Sequence, residues 1–174
     1  MEYRNLLSKS ASRLIVDTIR NSVFDQTERF DELFELAFDH DPKISWKALW
    51  TVEKILLVES EFINIEKFNR LTEYTTSCKH DSAQRILLSI LLILQSKPSF
   101  ELPIPIVNKC FEWFISNKLP VAVQVLALKN LVAYTKKYPE MKQELLAYLE
   151  NYEQTSSRAA LLSCTRNSIK SLKI

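Results

Sequence analysis

No glycine occurs among the 174 residues of this chain, although average usage would place about 12 in a protein of that length. Glycine is the default wherever the backbone needs positive φ: tight hairpins, bulges, phosphate-cradling loops and the residue that ends a helix. Without it, the dinucleotide-binding turn, the P-loop and the nucleophile elbow are excluded, since each depends on glycine at fixed positions. What remains open is a fold of helices joined by glycine-free corners.

Helical periodicity runs almost end to end. Ile44, Ala48, Val52, Ile55 and Leu56 follow one stripe of a helix. Asp41 stands in N-cap position and Pro42 at N1, which satisfies an orphan amide and pre-sets φ. Asp25 with Glu28 reads as a capping box that opens a helix carrying Phe30, Leu33, Phe34 and Ala37 inside. Further helix starts fall at Asn64, Asp81, Pro103–Pro105, Pro120, Pro139 and Thr155–Ser157. No stretch alternates in the manner of a strand.

The starts repeat. His40-Asp41 and His80-Asp81 are the same dipeptide 40 residues apart. Setting Lys47-Ala48-Leu49 over Arg85-Ile86-Leu87, Gln124-Val125-Leu126 and Arg158-Ala159-Ala160 gives offsets of 38, 39 and 34. Each of these long helices follows another helix, so the spacing predicts stacked helix pairs. One pair cannot bury its apolar face alone, and neighbours supply the missing cover.

The segment from Phe34 to Ala48 (FELAFDHDPKISWKA) resembles the HEAT repeat pattern, with Asp41, Ile44 and Ala48 on its aspartate, valine and alanine positions. It departs at Ser45, where that pattern has arginine, so the buried Asp–Arg ladder of typical HEAT arrays is not expected. ISWKALWTVEKI (44–55), CFEWFISNKLPVAVQVLALKNL (110–131) and SSRAALLSC (156–164) are similar to short HEAT-like proteins of Bacteroidetes. Some of those carry an adenylosuccinate lyase label, but that enzyme's glycine-bearing, serine-rich catalytic loop has no counterpart in this chain. The resemblance implies an all-α fold, an α-α superhelix (HEAT/ARM-like solenoid) of about four helix pairs. Residues 1–174 are expected to form a single α-helical repeat domain.

Composition narrows the function classes. The formal charge is +2, from 23 basic and 21 acidic side chains, too small to draw nucleic acid or membrane to the whole molecule. Cys78, Cys110 and Cys164 are odd in number and far apart, which suits reduced thiols packed as small hydrophobes. No cofactor or metal is expected. The N-terminus lacks a signal-type apolar stretch, and the run Ile86–Leu94, broken by Ser89, is too short to span a bilayer. A cytoplasmic location and no membrane partner are the expectations.

The only histidines, His40 and His80, both fall in corners between helices. As ligands they would need a third partner, and as bases an orienting group. Their ordinary reading is a polar ring beside a capping aspartate, so no catalytic residue is assigned and no enzyme is expected. Trp46 and Trp50, four apart, share one helix face. They read either as an aromatic platform flanked by Lys47 and Lys54 or as packing against Phe30, Phe34 and Phe38. Trp113 reads as packing. Lys47, Arg85, Gln124 and Arg158 occupy matched register, so stacked second helices would align them as a ridge. Arg158, Arg166, Lys170 and Lys173 form a basic stripe near the C-terminus.

The partner-binding candidates are therefore Trp46, Lys47, Trp50, Arg85, Gln124 and Arg158. The function expected is a non-catalytic scaffold for an unknown protein or peptide partner, presented on the second helices. Non-catalytic nucleic-acid binding is the alternative.

Overall fold

Polar caps or prolines open several helices of this chain, and side chains from elsewhere in the fold close some of them. A computed structural model describes residues 2–9, 12–26, 28–156 and 158–173. Ten α-helices and one short 3-10 turn account for the regular structure, with no strand among the described residues. The chain divides into two compact units, 1–93 and 94–174.

The first unit contains α1 (Glu2–Lys9), α2 (Arg13–Asp25), α3 (Arg29–Leu36), α4 (Pro42–Leu56), the 3-10 turn Ser60–Phe62, α5 (Ile65–Ser77) and most of α6 (Asp81–Leu94). Helix α4 is its hub, packing on α1, α2 and α3. That is why ten of its 15 residues are buried, including Lys47 and Thr51 beside the expected Ile44, Ala48, Val52, Ile55 and Leu56. Each large aliphatic or aromatic side chain removed from water in this way contributes about 1.5–3 kcal/mol. The N-terminal stretch is two helices rather than a tail. Tyr3 and Leu7 of α1 are buried, and Tyr3 Oη meets Ser22 Oγ of α2 at 2.6 Å.

The second unit contains α7 (Ile104–Ile115), α8 (Val121–Thr135), α9 (Met141–Thr155) and α10 (Ala159–Lys173). Helices α7 and α8 pack as a hairpin, and α10 lies against both α8 and α9. Cys110, Phe114, Ala127, Leu128, Leu149 and Leu161 are fully buried in it. Trp113, 8% exposed, belongs to the same core.

Several helix starts follow the sequence. Asp41 Oδ1 accepts from Lys43 N at 2.9 Å, and Asn64 Oδ1 accepts from Lys67 N at 2.9 Å. Pro103 and Pro120 stand at N-cap positions. The expected Asp25–Glu28 capping box does not form, because Asp25 is the last residue of α2 and Glu28 precedes α3 in helical conformation with no side-chain cap. Thr155 likewise ends α9 instead of opening the next helix, and Ser157 lies outside the described residues.

The helix ends show what replaces glycine. No described residue has positive φ, so Asn117-Lys118 does not supply a left-handed cap as its composition suggests. The chain instead leaves helices in extended conformation, as at Cys78, Ser116 and Ser156, or tapers through right-handed turns, as at Ala37, Leu57 and Lys136. Carbonyls at such exits and in the connecting segments receive side-chain donors from later in the chain. Ser45 Oγ donates to Ala37 O at the end of α3 at 2.6 Å, and Lys137 Nζ donates to Lys97 O and Phe100 O in the segment between α6 and α7 at 2.9 and 2.6 Å. Buried carbonyls are thereby satisfied without a φ > 0 residue.

Candidate functional site

Of the six candidate residues, three are drawn into this capping system. Lys47 is 7% exposed, and its Nζ donates to Leu7 O at 2.6 Å, at the C-terminal end of α1. Gln124 is 0% exposed, and its Nε2 donates to Phe114 O at 2.9 Å and Ser116 O at 2.6 Å. Arg158 then donates through Nη1 to Gln124 Oε1 at 2.6 Å. The expected ridge is therefore not a surface at Lys47 or Gln124. A buried helix end offers a polar side chain a stronger reason to turn inward than solvent offers it to stay out.

The matched register also drifts against the helices. Lys47 is the sixth residue of α4, Arg85 the fifth of α6 and Gln124 the fourth of α8, while Arg158 precedes α10 altogether. A near-regular spacing in sequence thus becomes unequal depth along successive helices. Arg85 is half-buried.

Trp46 and Trp50 behave differently. Both are half-buried, and their rings stack with centroids 6.2 Å apart and 19° between planes. The phenylalanines considered as their packing partners engage elsewhere: Phe30 stacks on Phe62 at 4.8 Å, and Phe38 meets Tyr74 edge-on at 5.2 Å. Trp50 instead lines a groove of about 280 Å³ with Arg13, Val16, Asp17 and Arg20 of α2 and Lys54 of α4. The Asp17 carboxylate lies 3.6 Å from Arg13 and 3.4 Å from Arg20. Two arginines thus share one carboxylate beside an indole, and Lys54 adds a third cation to the lining. Sequence reading found the indoles and Lys54 but missed Arg13 and Arg20, because no pattern said that α2 lies along α4.

The histidine corners converge as well. His40 and His80 line one groove of about 590 Å³ together with Phe38, Ser45, Tyr74 and Cys78. His40 is exposed, with Nδ1 3.4 Å from Asp39 Oδ1. His80 Nδ1 accepts from Ala83 N at 3.3 Å, so His80 itself caps α6. Asp39 is held by Arg4 of α1, with Nε to Oδ2 at 2.9 Å and Nη2 to Oδ1 at 3.1 Å. That guanidinium keeps the Asp39 carboxyl below its ordinary range. Arg70 does the same for Glu35, and Arg70 lies over the Phe38 ring at 4.4 Å.

The corner lacks the geometry of a nucleophilic site. Cys78 Sγ donates to the His80 carbonyl at 3.8 Å, and burial pushes its thiol pKa up. An activated thiolate needs the opposite shift. No group of three His, Cys, Asp or Glu side chains placed to hold a metal occurs among the described residues.

Two of the four cations of the C-terminal basic stripe are paired with carboxylates inside their own unit. Arg166 Nε lies 2.8 Å from Glu153 Oε1 and Lys173 Nζ 2.8 Å from Glu150 Oε1, both across to α9. Arg158 is committed to Gln124. Among the described residues no helix is long and apolar enough to cross a membrane.

The family described as HEAT repeat domain matches the chain over residues 3–172. No curated protein and no solved structure matches it.

Proposed function

The chain belongs to the HEAT repeat domain family, and from that premise we propose that this helical-repeat scaffold is a non-catalytic module that captures an acidic peptide segment of a partner protein. The observation that carries the reading is Trp50, stacked on Trp46, lining one groove with Arg13, Arg20 and Lys54. Trp and Arg are the side chains that most often dominate interface energetics, because each combines a large apolar surface with a polar edge. The excess of two positive charges over Asp17 selects an acidic strand, and the indole faces supply area for an apolar residue within it. Arg85, half-buried on α6, is a secondary candidate for contact.

Nucleic acid is the less favoured partner. A phosphate backbone needs a continuous track of available cations, whereas Arg166 and Lys173 are paired with glutamates and Arg158 is turned inward. The test titrates the whole chain with a ten-residue peptide of Asp and Glu containing one Phe, its Lys-substituted counterpart, and an oligo-dT strand, following tryptophan fluorescence. Saturable binding of the acidic peptide alone is expected, weakened at least roughly 30-fold by Trp50→Ala and roughly tenfold by Arg20→Ala. Preference for oligo-dT, or acidic-peptide affinity unchanged in both variants, overturns the proposal.

A further inference from the structure

The groove at the two histidine corners has chemistry of its own, independent of the tryptophan groove. Its volume, about 590 Å³, lies within the range of small-molecule sites. Two rings form one wall: Phe38 and Tyr74 meet edge to face with centroids 5.2 Å apart. Pro42 and Ala83 add apolar surface.

The polar groups divide into those already satisfied and those still available. Asp39 is the one carboxylate in the lining, and both its oxygens accept from Arg4, with Oδ1 also accepting from Asp41 N at 2.8 Å. Ser45 gives its proton to Ala37 O, so at the 3.1 Å contact with Tyr74 the tyrosine is the donor. The Ala83 amide at the head of α6 is consumed by His80 Nδ1. Because Nδ1 accepts that bond, the neutral imidazole carries its proton on Nε2, leaving an N–H donor. Lys79 is exposed and lines the same groove. Unspent donors therefore outnumber unspent carboxylates, beside an aromatic wall.

We propose that this corner groove binds a small aromatic anion, its ring against Phe38 and Tyr74 and its acid group on Lys79 and His80. An aryl carboxylate and an aryl phosphate share that chemistry. The ring supplies contact area and the anion supplies the charge-assisted bonds. Repeat geometry explains the site: two consecutive corners, each opened by a His-Asp dipeptide, face one space.

The test is an amide-shift NMR titration of the whole chain with benzoate, phenyl phosphate, inorganic phosphate and benzyl alcohol. Cys78 alkylation by iodoacetamide in a Cys164→Ser background runs in parallel. Saturable shifts at Tyr74, Cys78 and His80 with at least one aryl anion are expected, together with slower Cys78 labelling. The benzoate and phenyl phosphate arms distinguish the two acid groups. Lys79→Ala and His80→Asn are each expected to weaken binding roughly tenfold. Asparagine retains the helix cap while removing the Nε2–H donor, and Lys79 is an exposed loop residue, so neither variant confounds binding with folding. Shifts of equal size with inorganic phosphate or with benzyl alcohol overturn the proposal. So does the absence of saturation with both aryl anions, or unchanged affinity in both variants.

Discussion

Lys47 Nζ donates to the Leu7 carbonyl at 2.6 Å, so a buried lysine on α4 closes the end of a helix 40 residues upstream. The bond accounts for two facts at once. It gives a carbonyl in the last turn of α1 a buried side-chain partner, and it makes α1 part of the fold instead of a frayed terminus.

Lys47→Met tests this directly, since methionine keeps the stem's apolar packing but removes the donor. The Leu7 carbonyl is then left with one partner fewer, and a cost of about 1–3 kcal/mol is expected. Urea unfolding gives the loss. Amide exchange locates it, with protection falling first in α1.

A second closing bond can be tested in the other unit. Gln124 donates to both Phe114 O and Ser116 O and accepts from Arg158. Gln124→Ala removes two donors from buried carbonyls and leaves a small void, for an expected loss of about 2–4 kcal/mol. Arg158→Ala removes only the outermost member of the chain and is expected to cost less. Denaturant midpoints for the two variants rank them.

These residues also show what a sequence can disclose. The positions of α4, α5, α7 and α8 were legible because Asp41-Pro42, Asn64, Pro103 and Pro120 cap or open helices by local chemistry. The pairing of helices was legible from apolar spacing. Lys47 and Gln124 were misplaced because their partners, Leu7 and Phe114, lie one helix or more away and leave no local mark. Ser45 carried a readable hint: it breaks the repeat pattern, and in the fold it is 1% exposed and caps Ala37. The Trp46–Trp50 stack was legible from i, i+4 spacing, but the cations beside it come from α2, whose docking no periodicity specifies.

The Arg4–Asp39 pair gives the fold a defined acid response. Arg4 holds the Asp39 carboxyl below its ordinary value of 3.8. A depressed folded-state pKa contributes stability that is present above 3.8 and lost as pH falls through the folded value, because the unfolded chain takes up the proton first. Stability is therefore expected to fall on acidification below pH 3.8 more steeply in the native chain than in Asp39→Asn. Urea midpoints measured down the acid range test this. Parallel curves for the two proteins would remove Asp39 from the response.

The glycine-free corners make a last prediction, opposite to the usual expectation for helix ends. At a corner with φ > 0, replacing Asn by Gly relieves strain and stabilises the fold. Asn117 follows the α7 exit at Ser116, and no described residue there or elsewhere has positive φ. Asn117→Gly therefore relieves nothing and enlarges the conformational freedom of the unfolded chain. A loss of about 0.5–1 kcal/mol is expected, read as a lower urea midpoint at unchanged slope. A gain in stability would mean that the corner passes through a left-handed residue. The absence of glycine would then reflect composition alone, and side-chain capping would no longer explain how the corners are built.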